Sequence, residues 1–478
     1  MHKEFRYLLF FLSFGFCSAQ NMEILYDFDE LPQTLMLNPG SEISYNSHWG
    51  IPLLSNLHIE FGASNQNVTY NSIVNGSNGI SDILRNIYDQ QPASNDIYTI
   101  TQQLEVFSIG LRLKNPDHYL SFGMYQKMDG FARYPSDLMD LFFNGNDQNG
   151  DGIPETSQDF KVSDLNVVGE LLSVWHLGLS KTVNENLTVG ARLKIYSGGL
   201  SLQTKSNEGV YSLENSVRFI HQFQSMNLGI NSSGLINNDG SRAFDDPLDV
   251  FSNLFFGGGN YGLGMDLGFT YRPGNSIVLT GSIVDLGFVN YSGTVTTYEI
   301  KEDFQIVDDP FSPTPGAEST YWSDLWTGYY DAGLLDNVLD TISSSYMQLR
   351  PVNVHASFKK ILQRGGNSRP AFRNVSCPDN ESRGGLESSY GAQLYAEFRP
   401  TSTLWAVTGF YSREFSKAIH AKFTYTVDRF SYYNIGIGLS ASINRFNLFI
   451  AADNLLALPT VRDSNYQSFQ LGMNVIIN

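Results

Sequence analysis

Apolar and polar residues alternate one by one through much of the chain. In Phe107-Ser108-Ile109-Gly110-Leu111-Arg112-Leu113-Lys114 every other residue is apolar and the rest are small or charged. Leu57, Ile59 and Phe61 alternate with His58 and Glu60, and Leu187, Val189, Ala191, Leu193 and Ile195 alternate with Thr188, Gly190, Arg192 and Lys194. The same beat runs through Met265–Arg272 and Asn434–Ser442, and the chain closes on Phe469, Leu471, Met473, Val475 and Ile477. Successive side chains of a strand point to opposite faces, so each stretch has one apolar face and one wet face. A soluble antiparallel sandwich alternates too. Here the wet faces are mostly Gly, Ser, Thr and Asn, as a polar lumen requires.

Short turn signals join several of these strands: Asn115-Pro116-Asp117, Asn184-Glu185-Asn186, Arg272-Pro273-Gly274-Asn275 and Arg399-Pro400-Thr401-Ser402. Long irregular stretches at 129–170, 230–262, 300–346 and 363–386 join others. Short turns at one end and long loops at the other mark a transmembrane antiparallel β-barrel, whose strand number is even. The all-β pattern predicts about 14 strands, with 16 as the alternative. With Arg399–Ser402 counted as a periplasmic turn, the last strand comes out running outward. An irregular segment is therefore expected between Ser412 and Asn447.

The N-terminus changes the picture. Lys3 and Arg6 precede the apolar run Tyr7–Phe16, and Ser18-Ala19-Gln20 offers a small-residue cleavage site. Residues 1–20 therefore read as a cleaved secretory signal, too short to span a bilayer as a helix. Residues 21–50 follow as a plug-like segment, and 51–478 as the barrel. No later apolar run is long enough for a membrane helix. Charged residues are 16% of the chain, against about 25% in ordinary soluble domains. Aromatics reach 13%, with 33 Phe and 26 Tyr, as interfacial girdles need. The net charge of −18 becomes −19 once Lys3, Glu4 and Arg6 leave, which excludes nucleic acid as a partner. The mature chain keeps one cysteine, Cys377, so no internal disulfide forms.

The long loops carry short helix signals. Ser81 precedes Ile83, Leu84, Ile87 and Tyr88, and Ser136 precedes Leu138, Met139, Leu141 and Phe142. Asp246-Pro247 leads Leu248, Val250, Phe251 and Leu254, and Asp331 leads Leu334, Leu335, Val338, Leu339 and Ile342. Arg364, Arg369, Arg373 and Arg383 make 363–386 basic; this loop is expected to be solvated, with pairing to acidic loops or contact with anionic glycolipid as the alternatives. One loop has metal spacing. Asp147, Asn149, Asp151 and Glu155 stand at positions 1, 3, 5 and 9 of a calcium-loop pattern, with Gly152 at 6 and the Ile153 carbonyl at 7. Calcium takes six to eight hard oxygen ligands, and this spacing wraps them round one ion. Position 12 is Gln158, so the loop resembles thrombospondin type 3 repeats more than an EF-hand. Calcium is the expected cofactor.

No catalytic signature stands out; His58, His176 and His420 fall inside strands. The segment Leu31-Pro32-Gln33-Thr34, then Leu37-Asn38-Pro39-Gly40, ahead of Trp49-Gly50-Ile51-Pro52, resembles the early Asn-Pro-Ala motif of the FadL superfamily of outer-membrane barrels. That superfamily includes long-chain fatty-acid transporters and the PorV-type subunits of type IX secretion. Asp285-Leu286-Gly287-Phe288 and Asp453-Asn454-Leu455 resemble strand-end motifs of the group. The chain is similar to an uncharacterised branch, a domain of unknown function. The resemblance implies 14 strands, an N-terminal segment inside the barrel, and a home in the Gram-negative outer membrane in contact with its lipid. Gly40 stands where alanine is usual, so the plug is expected to pack differently. Three functions follow as expectations: passage of a small or hydrophobic ligand without enzymatic activity, a PorV-like subunit of secretion or assembly machinery, or an outer-membrane enzyme.

Overall fold

The computed structural model describes residues 22–477 apart from 75–79, 92, 94–95, 134, 157, 164, 216–217, 236–258, 364–386, 401 and 456–462. The expected signal, residues 1–20, lies outside the described residues. Fourteen antiparallel strands close into a barrel. They are β1 (Ser47–Gly50 and Leu57–Ala63), β2 (Tyr98–Arg112), β3 (His118–Arg133), β4 (Asn166–Asn184), β5 (Leu187–Asn215), β6 (Tyr261–Tyr271) and β7 (Ile277–Tyr291). Then come β8 (Tyr346–Leu349 and Val352–Gln363), β9 (Ser388–Arg399), β10 (Ser402–Ser416), β11 (Ile419–Asp428), β12 (Asn434–Ile443), β13 (Phe446–Ala452) and β14 (Tyr466–Ile477). The barrel closes where β1 pairs with both β2 and β14, Leu57 facing Leu104 on one side and Leu471 on the other.

The alternation decides which way each side chain points. Leu193, Ile195, Leu263, Leu267 and Phe269 face outward and exposed, while their neighbours Arg192, Lys194 and Asp266 are buried in the lumen. An outer belt of Trp49, Phe122, Leu177, Phe358, Leu394, Trp405, Phe423, Leu439 and Ile450 continues this pattern round the wall. An apolar outside around a polar inside is stable only in lipid, and the closed ladder leaves no unpaired edge there. No helix among the described residues is long and apolar enough to cross a membrane.

Both ends of the barrel strands, Ser47 and Ile477, lie at one end, with the connections 113–117, 185–186, 272–276, 417–418 and 444–445. Short turns place this end in the periplasm. The Arg399–Ser402 turn lies at the opposite, extracellular end, which corrects the expectation that it was periplasmic. Arg399 folds inward there and holds the Asp129 carboxylate of β3 with two bonds of 2.8 and 2.9 Å. The basic loop expected at 363–386 lies, from 364 on, outside the described residues; β8 ends and β9 begins at the periplasmic end. With the side of the Arg399–Ser402 turn exchanged, four strands, β10 to β13, fill Ser412–Asn447, with one register shift between Glu414 and Ser416, and the count closes.

β1 is split. Between the pairs Gly50–Asn474 and Leu57–Leu471 it spends six residues where β14 spends two. The surplus bulges outward, leaving Leu53 and Leu54 exposed and Ser55 and Asn56 buried. β5 is long. Its 29 residues span roughly 100 Å at 3.3 Å each, several times a membrane crossing of about ten residues. Its first part pairs with β6, Leu187 against Tyr271 through Ser197 against Tyr261. Its upper part leaves the barrel and pairs with the strands Phe219–Ser233 and Asp159–Lys161. Strands Val295–Ile300, Phe304–Val307 and Leu339–Ile342 extend this extracellular sheet.

Five short α-helices lie among the described residues: α1 (Thr34–Leu37), α2 (Tyr70–Val74), α3 (Ile80–Tyr88), α4 (Ser136–Asn144) and α5 (Glu318–Asp331). α3 and α4 match the expected loop helices, although α3 starts before Ser81. The Asp246-Pro247 helix lies outside the described residues. The helix expected after Asp331 is not formed; α5 ends there. Gly333, at φ 70°, donates to the Tyr330 carbonyl and Leu334 donates to that of Tyr329, a Schellman stop. Leu339–Ile342 is recruited as a strand instead. α5 packs Trp322, Leu325 and Trp326 onto Phe160, Tyr211, Phe223 and Phe311, the core of the extracellular module. There the Glu318 carboxyl accepts the Gly316 N–H and pairs with Arg85 of α3.

Candidate functional site in the barrel lumen

The N-terminal segment 22–46 fills the barrel, as the resemblance implied. Its apolar side, Leu25, Tyr26, Phe28, Leu31 and Leu37, is buried and packs with Phe449 of the wall. Polar tethers fix the rest. Gln33 Nε2 donates to the Ser55 carbonyl and to Asn474 Oδ1, both at 2.9 Å. Ser282 donates to the Leu37 carbonyl at 2.6 Å, and Thr280 to Asp27 at 3.0 Å. Arg112 holds the Ile43 and Tyr45 carbonyls, and Lys359 pairs with Asp29 at 2.6 Å. The motif Asn38-Pro39-Gly40 lies on the paired glycines Gly190 and Gly268, with Asn38 Nδ2 donating to the Phe269 carbonyl at 3.2 Å. A Cβ on Gly40 would sit 2.4 Å from the Gly268 oxygen, so the glycine is what lets the plug seat this closely.

Above this seat the lumen is charged. Lys194 Nζ lies 2.5 Å from Asp285 and 2.9 Å from Asp266, and Lys127 lies 3.5 Å from Asp285. Tyr196 donates to Asp285 at 3.1 Å, and the Asp285 N–H donates to Asp266 at 2.8 Å. Asp285 sits at φ 63° in a bulge of β7, a conformation that a non-glycine residue holds at a cost of about 1–3 kcal/mol. The Asp285–Phe288 motif is therefore a mid-strand bulge, whereas Asp453-Asn454 does follow the end of β13. A second group joins Asp129, Arg399 and Glu397, with Tyr395 donating to Glu397 at 2.9 Å. Arg350 pairs with Glu170 in a third. Removing one partner of such a buried pair costs about 3–5 kcal/mol.

Between plug and wall some of these groups line a cavity of about 80 Å³. Glu23, Met36 and Leu37 line it from the plug, and Tyr125, Lys127, Asp129, Lys194, Asp285, His355 and Arg399 from the wall. That volume holds a few waters or a small polar molecule; pockets for larger organic ligands take about 300–1,000 Å³. His58, His176 and His420 are all buried on the luminal side. The alternation pattern could place each charge in the lumen, but not show which ones meet. Asp129 and Arg399 stand 270 residues apart.

The expected calcium residues lie in the extracellular loop after α4. Asp147 accepts the N–H groups of Gly150, Asp151 and Gly152 at 2.8, 3.1 and 2.9 Å. Glu155 accepts the Gln148 N–H at 2.7 Å and Asn149 Nδ2 at 2.5 Å, and Asp151 accepts the Ile153 N–H at 2.9 Å. Gly150 and Gly152 take positive φ, 71° and 80°, as the sharp turn needs. Asp147, Asn149, Asp151, Ile153 and Glu155 thus share one turn, with Ile153 exposed.

A family model matches residues 39–453, nearly the whole barrel and part of the plug. The chain belongs to the family of unknown function DUF5723. A domain of unknown function was the expectation, and structures of FadL type are among those similar to this chain. The Pseudomonas putida toluene transporter TodX is 10% identical, with 96% of this chain and 94% of that one covered and a TM-score of 0.35. A Pseudomonas aeruginosa FadL homologue is 9% identical, with 94% of each chain covered and a TM-score of 0.41. The translocator domain of the autotransporter NalP from Neisseria meningitidis is 5% identical, covers 96% and 98%, and scores 0.32. No curated protein matches this DUF5723 chain.

Proposed function

We propose that the protein is a non-enzymatic outer-membrane barrel that passes a small ligand, with the segment 22–46 as its gate. The observation that carries this reading is the cavity between plug and wall, which a shift of the plug would join to the periplasm. Its charged lining and volume of about 80 Å³ support a small polar ligand over the hydrophobic one implied by the FadL resemblance. Export by a signal cleaved after residue 20, and lipid against the apolar belt, belong to the same reading. Swelling of liposomes that carry the purified protein tests it. Faster entry of glycine-sized solutes than of disaccharides is expected; liposomes as tight as protein-free ones would overturn it.

A second reading, a PorV-like subunit of secretion or assembly machinery, is favoured by the extracellular sheet built on upper β5. It offers a partner a folded surface away from the lumen. Purification from native outer membranes with identification of co-purifying proteins tests that alternative. Calcium at Asp147, Asn149, Asp151, Ile153 and Glu155 is part of the proposal under either reading. It is supported by the ligand spacing and by the two positive-φ glycines.

A further inference from the structure

The periplasmic end of the lumen carries side chains that ligand passage does not use. Glu414 of β10 and His420 of β11 stand directly opposite each other, and Glu30 reaches them from the plug. His420 Nδ1 lies 3.0 Å from Glu30 Oε1 and 3.9 Å from Glu414 Oε1. One ligand atom from each residue falls within 4.8 Å of the other two. A tetrahedral zinc with bonds of about 2.0–2.2 Å sets its ligand atoms roughly 3.3 Å apart, and the two measured separations bracket that spacing.

Charge and support agree with a metal. A proton on His420 would neutralise one of the two carboxylates, whereas a divalent ion beside neutral imidazole neutralises both. Asp29, next to Glu30, is anchored on Lys359, which holds the plug's contribution in place. Glu30 and Glu414 stay partly exposed beside the buried His420, so an ion and a water as fourth ligand have access.

We propose that Glu30, Glu414 and His420 bind a divalent transition-metal ion of the zinc class, which clips the plug to the barrel wall at its periplasmic mouth. Imidazole with carboxylate suits zinc and its neighbours in the series, while the oxygen-only turn at Asp147 does not compete for them. The test uses the full chain without a polyhistidine tag, folded in detergent, stripped with chelator and dialysed against zinc, with bound zinc counted by mass spectrometry. The expected result is about one zinc per chain, lost in His420→Gln and in Glu30→Gln and kept in Asp151→Ala. Heat-modifiable gel migration verifies that each variant remains a folded barrel. No zinc on the wild-type chain, or equal zinc on folded His420→Gln and Glu30→Gln, overturns the proposal.

Discussion

The seat of the plug makes the sharpest quantitative prediction, and the perturbation is one methyl group. In Gly40→Ala the new Cβ meets the Gly268 oxygen at 2.4 Å, the Gly268 carbonyl carbon at 2.5 Å and the Phe269 Cα at 2.6 Å. All three are backbone atoms of β6, fixed by ladders to β5 and β7, so the wall cannot yield cheaply. Overpacking of this kind costs about 1–3 kcal/mol. If the plug lifts to relieve it, the Asn38–Phe269 hydrogen bond is lost, worth roughly 1 kcal/mol more. Docking of residues 34–46 should therefore weaken by about 2–4 kcal/mol, or roughly 30- to 1,000-fold in the docked ratio. Amide hydrogen exchange of the folded protein in detergent reads this directly. Gly409→Ala is the control, because nothing lies within 4 Å of the Cβ it adds. Equal protection of 34–46 in the two variants would refute the close-seat reasoning.

Other perturbations follow from the same structure. Leu193, 62% exposed on the outer face, should lose about 2–4 kcal/mol of barrel stability as Leu193→Arg, measured by unfolding from lipid vesicles; no loss would mean that the faces are assigned backwards. Calcium should protect 144–158 from protease, and Asp151→Ala should abolish that protection; cleavage indifferent to calcium and chelator would leave the run a polar turn. Burial alone would raise the Glu318 carboxyl, but backbone N–H groups and Arg85 outweigh it and hold it below the usual glutamate range. A lowered carboxylate stabilises above its unfolded value and loses that stabilisation as pH falls through the folded one. The α3–α5 contact should therefore loosen only in acid, seen as faster proteolysis of residues 80–88, and Arg85→Gln should move that loss to higher pH.

Much of the fold was legible because a barrel strand writes its two faces into every second residue. Leu193 against Lys194 and Leu267 against Asp266 could be assigned outside and inside from sequence alone. The N-terminal plug was legible only through the Asn38-Pro39-Gly40 motif, and the motif could not tell that Gly40 is required by the wall it touches. Side assignment failed at Arg399–Ser402, since a short turn looks alike at either end and its place is set by Asp129, far away in sequence. α5 was missed because its apolar face is aromatic and mixed with Ser, Thr and Gly, while Leu334–Ile342 imitates helical spacing until Gly333 stops the turn. The luminal pairs were invisible for the reason that governs all of these: alternation gives direction, and only closure of the barrel gives partners.

If the plug must move for a ligand to pass, a reversible lock between plug and wall stops passage. Thr280 of β7 already bonds Asp27 of the plug at 3.0 Å, so Asp27→Cys with Thr280→Cys, in a chain carrying Cys377→Ser, can tie the two together. Liposomes with the oxidised protein should be as tight to glycine-sized solutes as protein-free vesicles, and reduction should restore the wild-type rate. Equal rates before and after reduction, with the crosslink verified, would contradict the claim.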